Sequence, residues 1–228
     1  LINEISKIKN LKRIRYTTSH PIDFSNDLIE IHKESEKLMP LIHLPVQSGS
    51  DKILKSMNRK HTRKDYLNLI NKLKKTNPAI KFSSDFIIGY PGETDEDFKD
   101  TLELMEEVGF INTYSFNFSP RPGTPAAKMK LVDNKIAKER LLIFQKKANE
   151  VKINYRKSLY DKKALVLFEN HTKDENRFFG RDEYLNPVIV DSMEDLKGKI
   201  KETIIYNGNQ NTLFGEIVQN KVSNNSAA

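Results

Sequence analysis

Along most of the chain, hydrophobic residues switch repeatedly between strand-like and helix-like spacing. Alternating or continuous apolar runs predict β-strands at 13–17, 41–46, 79–88 and 114–118. Helical spacing of three and four residues follows each of them, carried for example by Leu28, Leu69 and Met105. The longest helical stripe runs from Ala137 to Tyr155. The pattern therefore predicts four strand–helix units.

Strands that alternate with helices favour right-handed crossovers and a parallel sheet covered by helices. The expected fold class over residues 1–156 is therefore α/β. About four such units are half of an eight-unit barrel, and they also suit a small open, doubly wound sheet. Periodicity alone does not separate these two architectures.

After about Ser158 the pattern changes to short alternating segments separated by polar turns. Strands are predicted at 164–169, 177–181, 187–190, 199–206 and 213–218. The dipeptide Asn207 and Gly208 marks a turn before the last of them. These segments suggest a small, closed or partly closed all-β barrel over residues 157–222. The polar tail at 223–228 is expected to be disordered.

The 228 residues are 37% hydrophobic and 30% charged, which is typical of a globular protein. No apolar run is long enough to cross a bilayer, and the chain does not open on a signal-peptide pattern. These features exclude a membrane-spanning protein and favour a cytoplasmic location. Because the chain begins at Leu1, we expect it to be a fragment of a longer protein.

The chain contains no cysteine, which excludes disulfides, thiol nucleophiles and thiolate-held zinc or iron–sulfur clusters within these residues. Its 38 Lys and Arg residues outnumber its 31 Asp and Glu residues, so the net charge is +7 and the pI is near 9.3. Such an excess attracts a polyanion such as nucleic acid. A biased genome could produce the same composition, and both explanations stay open.

Polar segments rich in Gly and Pro follow the predicted strands. Because the carboxyl ends of parallel strands meet at one edge of a sheet, these segments are expected to form a ligand site. Gln47, Ser48 and Ser50 lie in one of them, beside Gly49, and their amide and hydroxyl groups suit a ribose or an amino acid head group. Ser48 and Ser50 could instead only cap the helix predicted to start near Asp51.

Asp85 is the strongest candidate for a functional carboxylate. It lies inside an apolar strand, where an unpaired charge is costly. Strand alternation places it on one face with Ser83 and Ile87. Arg59 could pair a ligand carboxylate through two hydrogen bonds, or it could belong to a solvated basic face.

Other polar motifs are less specific. No metal site is predicted, because His20, His43 and His61 share no ligand spacing. The turn at 89–94 resembles a phosphate cradle, but its acidic residues favour a backbone turn that caps the next helix. Arg121 is held between two prolines, which suits a substrate phosphate or simply a rigid turn.

Basic and aromatic residues are mixed in the predicted barrel. This mixture binds single-stranded nucleic acid through charge and stacking. The candidates for RNA contact there are Lys162, Lys163, Arg177 and Arg181. Part of the aromatic set must instead form the core of so small a barrel.

Three sequence blocks resemble the radical S-adenosylmethionine methylthiotransferases. The blocks are LPVQSGS at 44–50, SSDFIIGYPGET at 83–94 and SPRPGTPA at 119–126. The resemblance covers almost the whole chain in the right order. It implies a partial TIM-like barrel, of which this chain would hold about four βα units, followed by a TRAM-type RNA-binding barrel.

The resemblance also implies a function. Members of the family use S-adenosylmethionine and [4Fe–4S] clusters to add a 2-methylthio group to N6-isopentenyladenosine in tRNA. By motif position, Gln47 and Arg59 match residues that contact the cofactor, and Asp85 matches a carboxylate that binds its ribose. Ser48 and Ser50 adjoin them.

The cysteines that hold the clusters lie upstream in the family, and none is present here. We therefore expect the C-terminal portion of such an enzyme, inactive alone and monomeric, with tRNA and S-adenosylmethionine as partners. A cysteine-free RNA-binding protein without catalysis is the alternative. A related transferase that acts on a ribosomal protein also stays open, although the run at 47–50 favours tRNA.

Overall fold

The computed structural model describes residues 1–17, 20–174 and 176–218. It divides the chain into two compact units, Leu1–Lys152 and Ile153–Ala228. The tail at 223–228, expected to be disordered, lies outside the described residues. Within those residues, no helix has both the length and the apolar character that a bilayer crossing requires.

The first unit is built on a three-stranded parallel sheet in the order β1–β2–β3. The strands are β1 (Leu41–His43), β2 (Lys81–Ile88) and β3 (Asn112–Asn117). His43 of β1 pairs with Ser83 of β2, and Asp85 of β2 pairs with Tyr114 of β3. The sheet is therefore parallel as predicted, with β2 at its centre.

Helices connect and flank these strands. They are α1 (Ile2–Ser6), α2 (Asn26–Glu34), α3 (Asp51–Ser56), α4 (Arg63–Thr76), α5 (Asp95–Val108) and α6 (Asn134–Lys157), with short 3-10 turns at Pro21–Asp23 and Pro125–Lys128. The two crossover helices, α4 and α5, begin with capping boxes at Thr62 and Thr94. Helix α5 ends at Gly109, which adopts the left-handed conformation with φ of 70°.

The segment 13–17, predicted to be the first strand, does not form one. Ile14 makes a single parallel bridge to Leu38, through hydrogen bonds with the backbones of Lys37 and Met39. The partner residues lie beside a turn, so the ladder of hydrogen bonds stops after one residue. The described residues thus contain three strands of the parallel sheet, and the expectation of about four βα units was wrong by one strand.

One face of the sheet forms the core of the first unit. Phe86 of β2 is fully buried there, and its ring lies 5.6 Å from that of Phe110 and 4.7 Å from that of Phe144 on α6, measured between centroids. The buried face of α4 packs into the same core with the predicted residues Tyr66 and Leu73. The helical spacing read from the sequence therefore marks the faces that cover the sheet.

The opposite face of the sheet is open. Strand alternation places His43, Ser83, Asp85, Tyr114 and Phe116 on it, and we call this side the accessible face. Tyr114 is 50% exposed and Phe116 is 58% exposed. The charged residue of β2 is therefore on the side of the sheet that a ligand can reach.

The second unit contains a closed five-stranded barrel in the order β4–β5–β6–β8–β7. Its strands are β4 (Lys162–His171), β5 (Arg177–Arg181), β6 (Pro187–Asp191), β7 (Ile200–Gly208) and β8 (Leu213–Ile217). Each lies within two residues of a predicted strand at either end. The expected small all-β barrel is confirmed.

The barrel interior is filled by inward-facing apolar side chains. Val166, Phe168, Phe178 and Val188 are all at most 2% exposed. All neighbouring strands in the ring are antiparallel except β6 and β8, which pair in parallel. The ring therefore closes through two strands that are separated along the chain by β7.

Candidate functional site

Polar side chains from three neighbouring strands lie together on the accessible face. Nε2 of His43 lies 3.4 Å from Oδ1 of Asp85, and Nδ1 of His43 lies 3.0 Å from Oγ of Ser83. Tyr114 meets the His43 ring edge-on, with centroids 6.0 Å apart. The side chain of Asp85 is 33% exposed. This carboxylate therefore has a protein partner and still faces solvent, where it could accept hydrogen bonds from a ligand.

The backbone of Gln47 is fixed directly beside Asp85. Its N–H donates to the carbonyl of Asp85 at 3.0 Å, and its carbonyl accepts from the N–H of Ile87 at 3.0 Å. Its φ of 77° is uncommon for a residue other than glycine. Such conformations persist only where surrounding structure enforces them, and they cluster at functional sites.

Arg59 follows α3, and its backbone N–H donates to the carbonyl of Leu54 at 2.9 Å. Burial lowers the pKa of the half-buried Arg59 side chain, and the negative charge of Asp85 opposes that shift. The charges of Arg59 and Asp85 therefore influence each other. The structure brings Gln47, Arg59 and Asp85 into one region, and their contact with a cofactor stays a prediction.

Ser48 and Ser50 are fully buried and bonded within the protein. Oγ of Ser48 lies 3.2 Å from Oγ1 of Thr101 on α5, and the Ser50 hydroxyl donates to Oδ1 of Asp97 at 2.7 Å. Oγ of Ser50 also accepts from the N–H of Ile53, as an N-cap of α3. These contacts support the capping alternative, and a cofactor contact for the two serines remains untested.

Gly49 lies where the loop packs against the backbone of α5. A Cβ at this position would collide with the backbone of α5, lying 2.6 Å from Cα of Thr101 and in contact with the carbonyl oxygen of Asp100. The glycine is needed because the loop packs directly on that helix.

Asp97 joins the starts of α3 and α5. Its carboxylate accepts from Ser50, from Nζ of Lys52 at 2.7 Å, and from the N–H and hydroxyl of Thr94. Burial acts to raise the pKa of Asp97, but hydrogen bonds from Lys52, Ser50 and Thr94 hold it well below its usual range. This network fixes the position of the loop that carries Gln47.

The turn at 89–94 is a structural element and not a phosphate cradle. Glu93 is buried, accepts from the N–H of Gly89 at 3.1 Å, and forms an ion pair of 2.8 Å with the buried Arg140 of α6. Burial raises the pKa of Glu93 against the effect of these hydrogen bonds. A negative charge at the centre of the turn would repel a phosphate.

The basic residues proposed to contact RNA are exposed or half-exposed, and most have acidic partners. Lys163 pairs with Glu202 at 3.0 Å and Arg177 pairs with Asp191 at 2.9 Å. Arg181 pairs with Glu169 and lies 5.0 Å from the ring centroid of Phe179. The remaining two are Lys162, exposed at the start of β4, and Arg121, exposed in a loop of the first unit.

These residues do not form one cluster on the barrel. Lys162 and Lys163 lie at the first end of β4, where they pair with Ile205 and Ile204 of β7. Arg177 lies at the start of β5, which pairs with the last residues of β4. At about 3.3 Å per residue, the two ends of β4 are roughly 30 Å apart.

Sequence reasoning missed three residues of these sites. His43 was considered only as a metal ligand, Tyr114 only as part of a strand, and Arg140 only as part of a helix. The missed contacts join segments far apart in sequence. The one available signal for Arg140 was a charged residue within the apolar stripe of α6, between Ala137 and Phe144.

A family model described as the radical SAM superfamily matches residues 1–105. The match includes β1, β2 and the loop that carries Gln47. The first unit is therefore similar to radical SAM proteins over these residues.

Curated proteins named tRNA-2-methylthio-N(6)-dimethylallyladenosine synthase match nearly all of the chain. The protein of Pelagibacter ubique is 54% identical over 96% of this chain and 49% of its own length. Those of Wolbachia pipientis subsp. Culex pipiens and Rickettsia canadensis are each 47% identical, over 94% and 95% of this chain and 50% and 49% of their own lengths. The chain is therefore similar to these synthases over nearly all of its residues, and it spans about half the length of these relatives.

A solved structure, a coproporphyrinogen III oxidase of Escherichia coli described as a radical SAM enzyme, is also similar. It aligns with 75% of this chain and 46% of its own, with a TM-score of 0.49 and 16% identity. That likeness is too weak to support an argument about the fold.

Proposed function

We propose that the first unit contributes part of an S-adenosylmethionine site of a tRNA methylthiotransferase, in a partial TIM-like barrel. The observation that supports the proposal is that Asp85 presents its carboxylate on the accessible face, interacts electrostatically with Arg59, and shares a backbone hydrogen bond with Gln47. A guanidinium suits the carboxylate of the methionine moiety, and an ionised carboxylate accepts hydrogen bonds from ribose hydroxyls.

The two cofactors of the family differ in how well they fit these residues. The donor set of the accessible face fits the adenosyl compound, which would supply the adenosyl and methyl groups of the reaction. An iron–sulfur cluster does not fit, because clusters are held mainly by cysteine thiolates and the 228 residues contain none. Within the described residues, there is also no group of three or more His, Asp and Glu side chains that could hold a metal ion. We therefore assign no catalytic step to this chain.

We further propose that the second unit is a TRAM-type barrel that binds tRNA. The support is a closed barrel whose surface carries Lys162, Lys163, Arg177 and Arg181. The side chain of Arg181 over Phe179 offers the combination of charge and aromatic surface that single-stranded RNA binds. Arg121, exposed in the first unit, would contact a phosphate of the same substrate.

The cofactor proposal is tested by removing one carboxylate. Asp85→Ala should weaken the affinity of the 228-residue chain for S-adenosylhomocysteine by about tenfold or more, because a hydrogen bond to a charged group contributes about 1.5–3 kcal/mol. Isothermal titration calorimetry measures the affinity. Glu139→Ala on the exposed surface of α6 is the matched control and should bind like the unaltered chain.

Equal affinities for the Asp85 and Glu139 variants would overturn the assignment of Asp85. The absence of cysteine favours one second candidate, an RNA-binding protein without catalysis. That alternative predicts tRNA affinity in the chain together with no measurable affinity for S-adenosylhomocysteine.

A further inference from the structure

His43 lies between a hydroxyl and a carboxylate, with one ring nitrogen directed to each. Nδ1 is 3.0 Å from Oγ of Ser83, its partner across the strand pair, and Nε2 is 3.4 Å from Oδ1 of Asp85. The ring is half-buried, with its side chain 24% exposed. Tyr114 of the third strand meets it edge-on. The imidazole is thus held by all three strands of the sheet.

The chemistry of these partners indicates where the imidazole carries its proton. An ionised carboxylate only accepts hydrogen bonds, so Nε2 must carry a hydrogen to bond Asp85. The hydroxyl of Ser83 both donates and accepts, so it suits Nδ1 whether or not that atom is protonated. These two partners therefore favour a ring protonated at Nε2.

Asp85 gains a defined orientation from this contact. The side chain is one-third exposed, and the terminal torsion of an aspartate is broad when nothing restrains it. A donor from the neighbouring strand restricts that torsion. The contact with His43 uses one carboxylate oxygen of Asp85 and leaves the other for a ligand on the accessible face.

We propose that His43 is a positioning residue: anchored by Ser83, it orients the Asp85 carboxylate toward the hydroxyls of a bound ribose. The inference rests on the proposed adenosyl site and names a residue that acts through Asp85. His43 itself need not touch the ligand.

The first test does not depend on any ligand. Nitrogen-15 NMR of the imidazole rings in the full chain reports the tautomer of each histidine, and His43→Gln identifies the signals of His43 by their loss. We expect a ring protonated at Nε2. A neutral ring with its proton on Nδ1 would overturn the proposal, because it could not donate to Asp85.

The second test compares two substitutions of His43 whose side-chain amide nitrogens lie at different positions. The amide nitrogen of Gln reaches about where Nε2 lies, whereas that of Asn reaches about where Nδ1 lies. His43→Gln should therefore bind S-adenosylhomocysteine within about threefold of the unaltered chain, and His43→Asn should bind about tenfold more weakly, the equivalent of one hydrogen bond. His43→Met fills the same space without a donor and should bind as weakly as His43→Asn, whereas a role limited to filling space would give it the affinity of His43→Gln.

His171→Asn is the matched control, because His171 faces Asp195 at 3.8 Å in the other unit and should leave the affinity unchanged. Equal losses in His43→Gln and His43→Asn would reject the positioning role. If the unaltered chain fails to bind S-adenosylhomocysteine, the proposed adenosyl site fails, while the tautomer of His43 still decides whether Asp85 is held as described.

Discussion

The residues between β1 and α3 show how a polar motif can serve packing. Ser48, Gly49 and Ser50 combine hydroxyls with a glycine, a composition that suits a ligand, yet all three contact α5 or cap α3. The ligand-facing role is proposed for Asp85, with Gln47 bonded to its backbone. The motif fixes the loop so that these two residues are held side by side.

Gly49→Ala should destabilise the first unit by about 1–3 kcal/mol, because the added methyl group forces the loop away from Thr101. Urea unfolding followed by circular dichroism measures the loss. Ser56→Ala, at the exposed end of α3, should change the free energy of unfolding by less than about 0.5 kcal/mol. If Gly49→Ala were as stable as that control, the close approach of the loop to α5 would be wrong.

The stability of the first unit should fall in mild acid because of His61. Burial, together with the positive charges of His20 and Arg59, lowers the pKa of His61 from 6.5 to about 4. Between those values the unfolded chain takes up a proton that the folded chain does not, so the free energy of unfolding decreases as pH falls from 6.5 to about 4.

His61→Phe should make that decrease smaller. Urea midpoints measured across the same pH interval report it. Burial also lowers the pKa of His32 to about 4, so the free energy of unfolding of the variant still decreases in acid, but less than that of the unaltered chain. Equal pH dependence with and without His61 would contradict the assignment.

At the scale of elements, the ion pair of Glu93 and Arg140 holds the turn after β2 against α6. Both side chains are buried, 1% and 8% exposed. Arg140→Met leaves a buried carboxylate without its partner and should cost about 3–5 kcal/mol of stability, again by urea unfolding. Adding Glu93→Met should recover most of the loss, because it removes the unpaired charge.

The control for this pair is Lys147→Met. Lys147 pairs with Glu106 at 2.9 Å on the surface, with both side chains more than 40% exposed, so its loss should be below about 1 kcal/mol. A similar effect of the two substitutions would show that the buried pair does not hold the turn.

The elements themselves were largely predictable from spacing. Tyr66 and Leu73 mark the covered face of α4, and the barrel strands follow their alternation closely. The segment 13–17 failed because alternation shows which side chains turn inward but not whether an extended partner lies alongside. The ion pair of Arg140 with Glu93 was not predictable, because it joins positions far apart in sequence.

For the whole molecule, the net charge of +7 attracts RNA only where cations are free to meet phosphates. Lys162→Glu should lower tRNA affinity and reduce the slope of affinity against salt by about 0.7–0.9, the value of one phosphate contact. Fluorescence anisotropy at several salt concentrations measures both quantities.

Lys138→Glu on the exposed side of α6 makes the same change in net charge and is the control. It should leave the salt dependence nearly unchanged. Identical effects of the two substitutions would mean that overall charge, and not the start of β4, governs the affinity for tRNA.

The candidate site was predictable in part at this scale. A charge within an apolar strand identified Asp85, and the common edge of parallel strands associated it with Gln47, whereas Arg59 was associated with them through the family resemblance. The choice of His43 as its neighbour depends on strand register, which the sequence pattern does not contain. The distribution of basic residues around the barrel likewise depends on how its strands pair.

The parallel pairing of β6 with β8 constrains how the second unit folds during synthesis. Because β8 inserts between β6 and β7, both of those strands keep an unpaired edge until β8 arrives. During synthesis on a ribosome, the ring cannot close before Ile217 has emerged. Until then the earlier strands form an open sheet, whose unpaired edges can pair with other nascent chains.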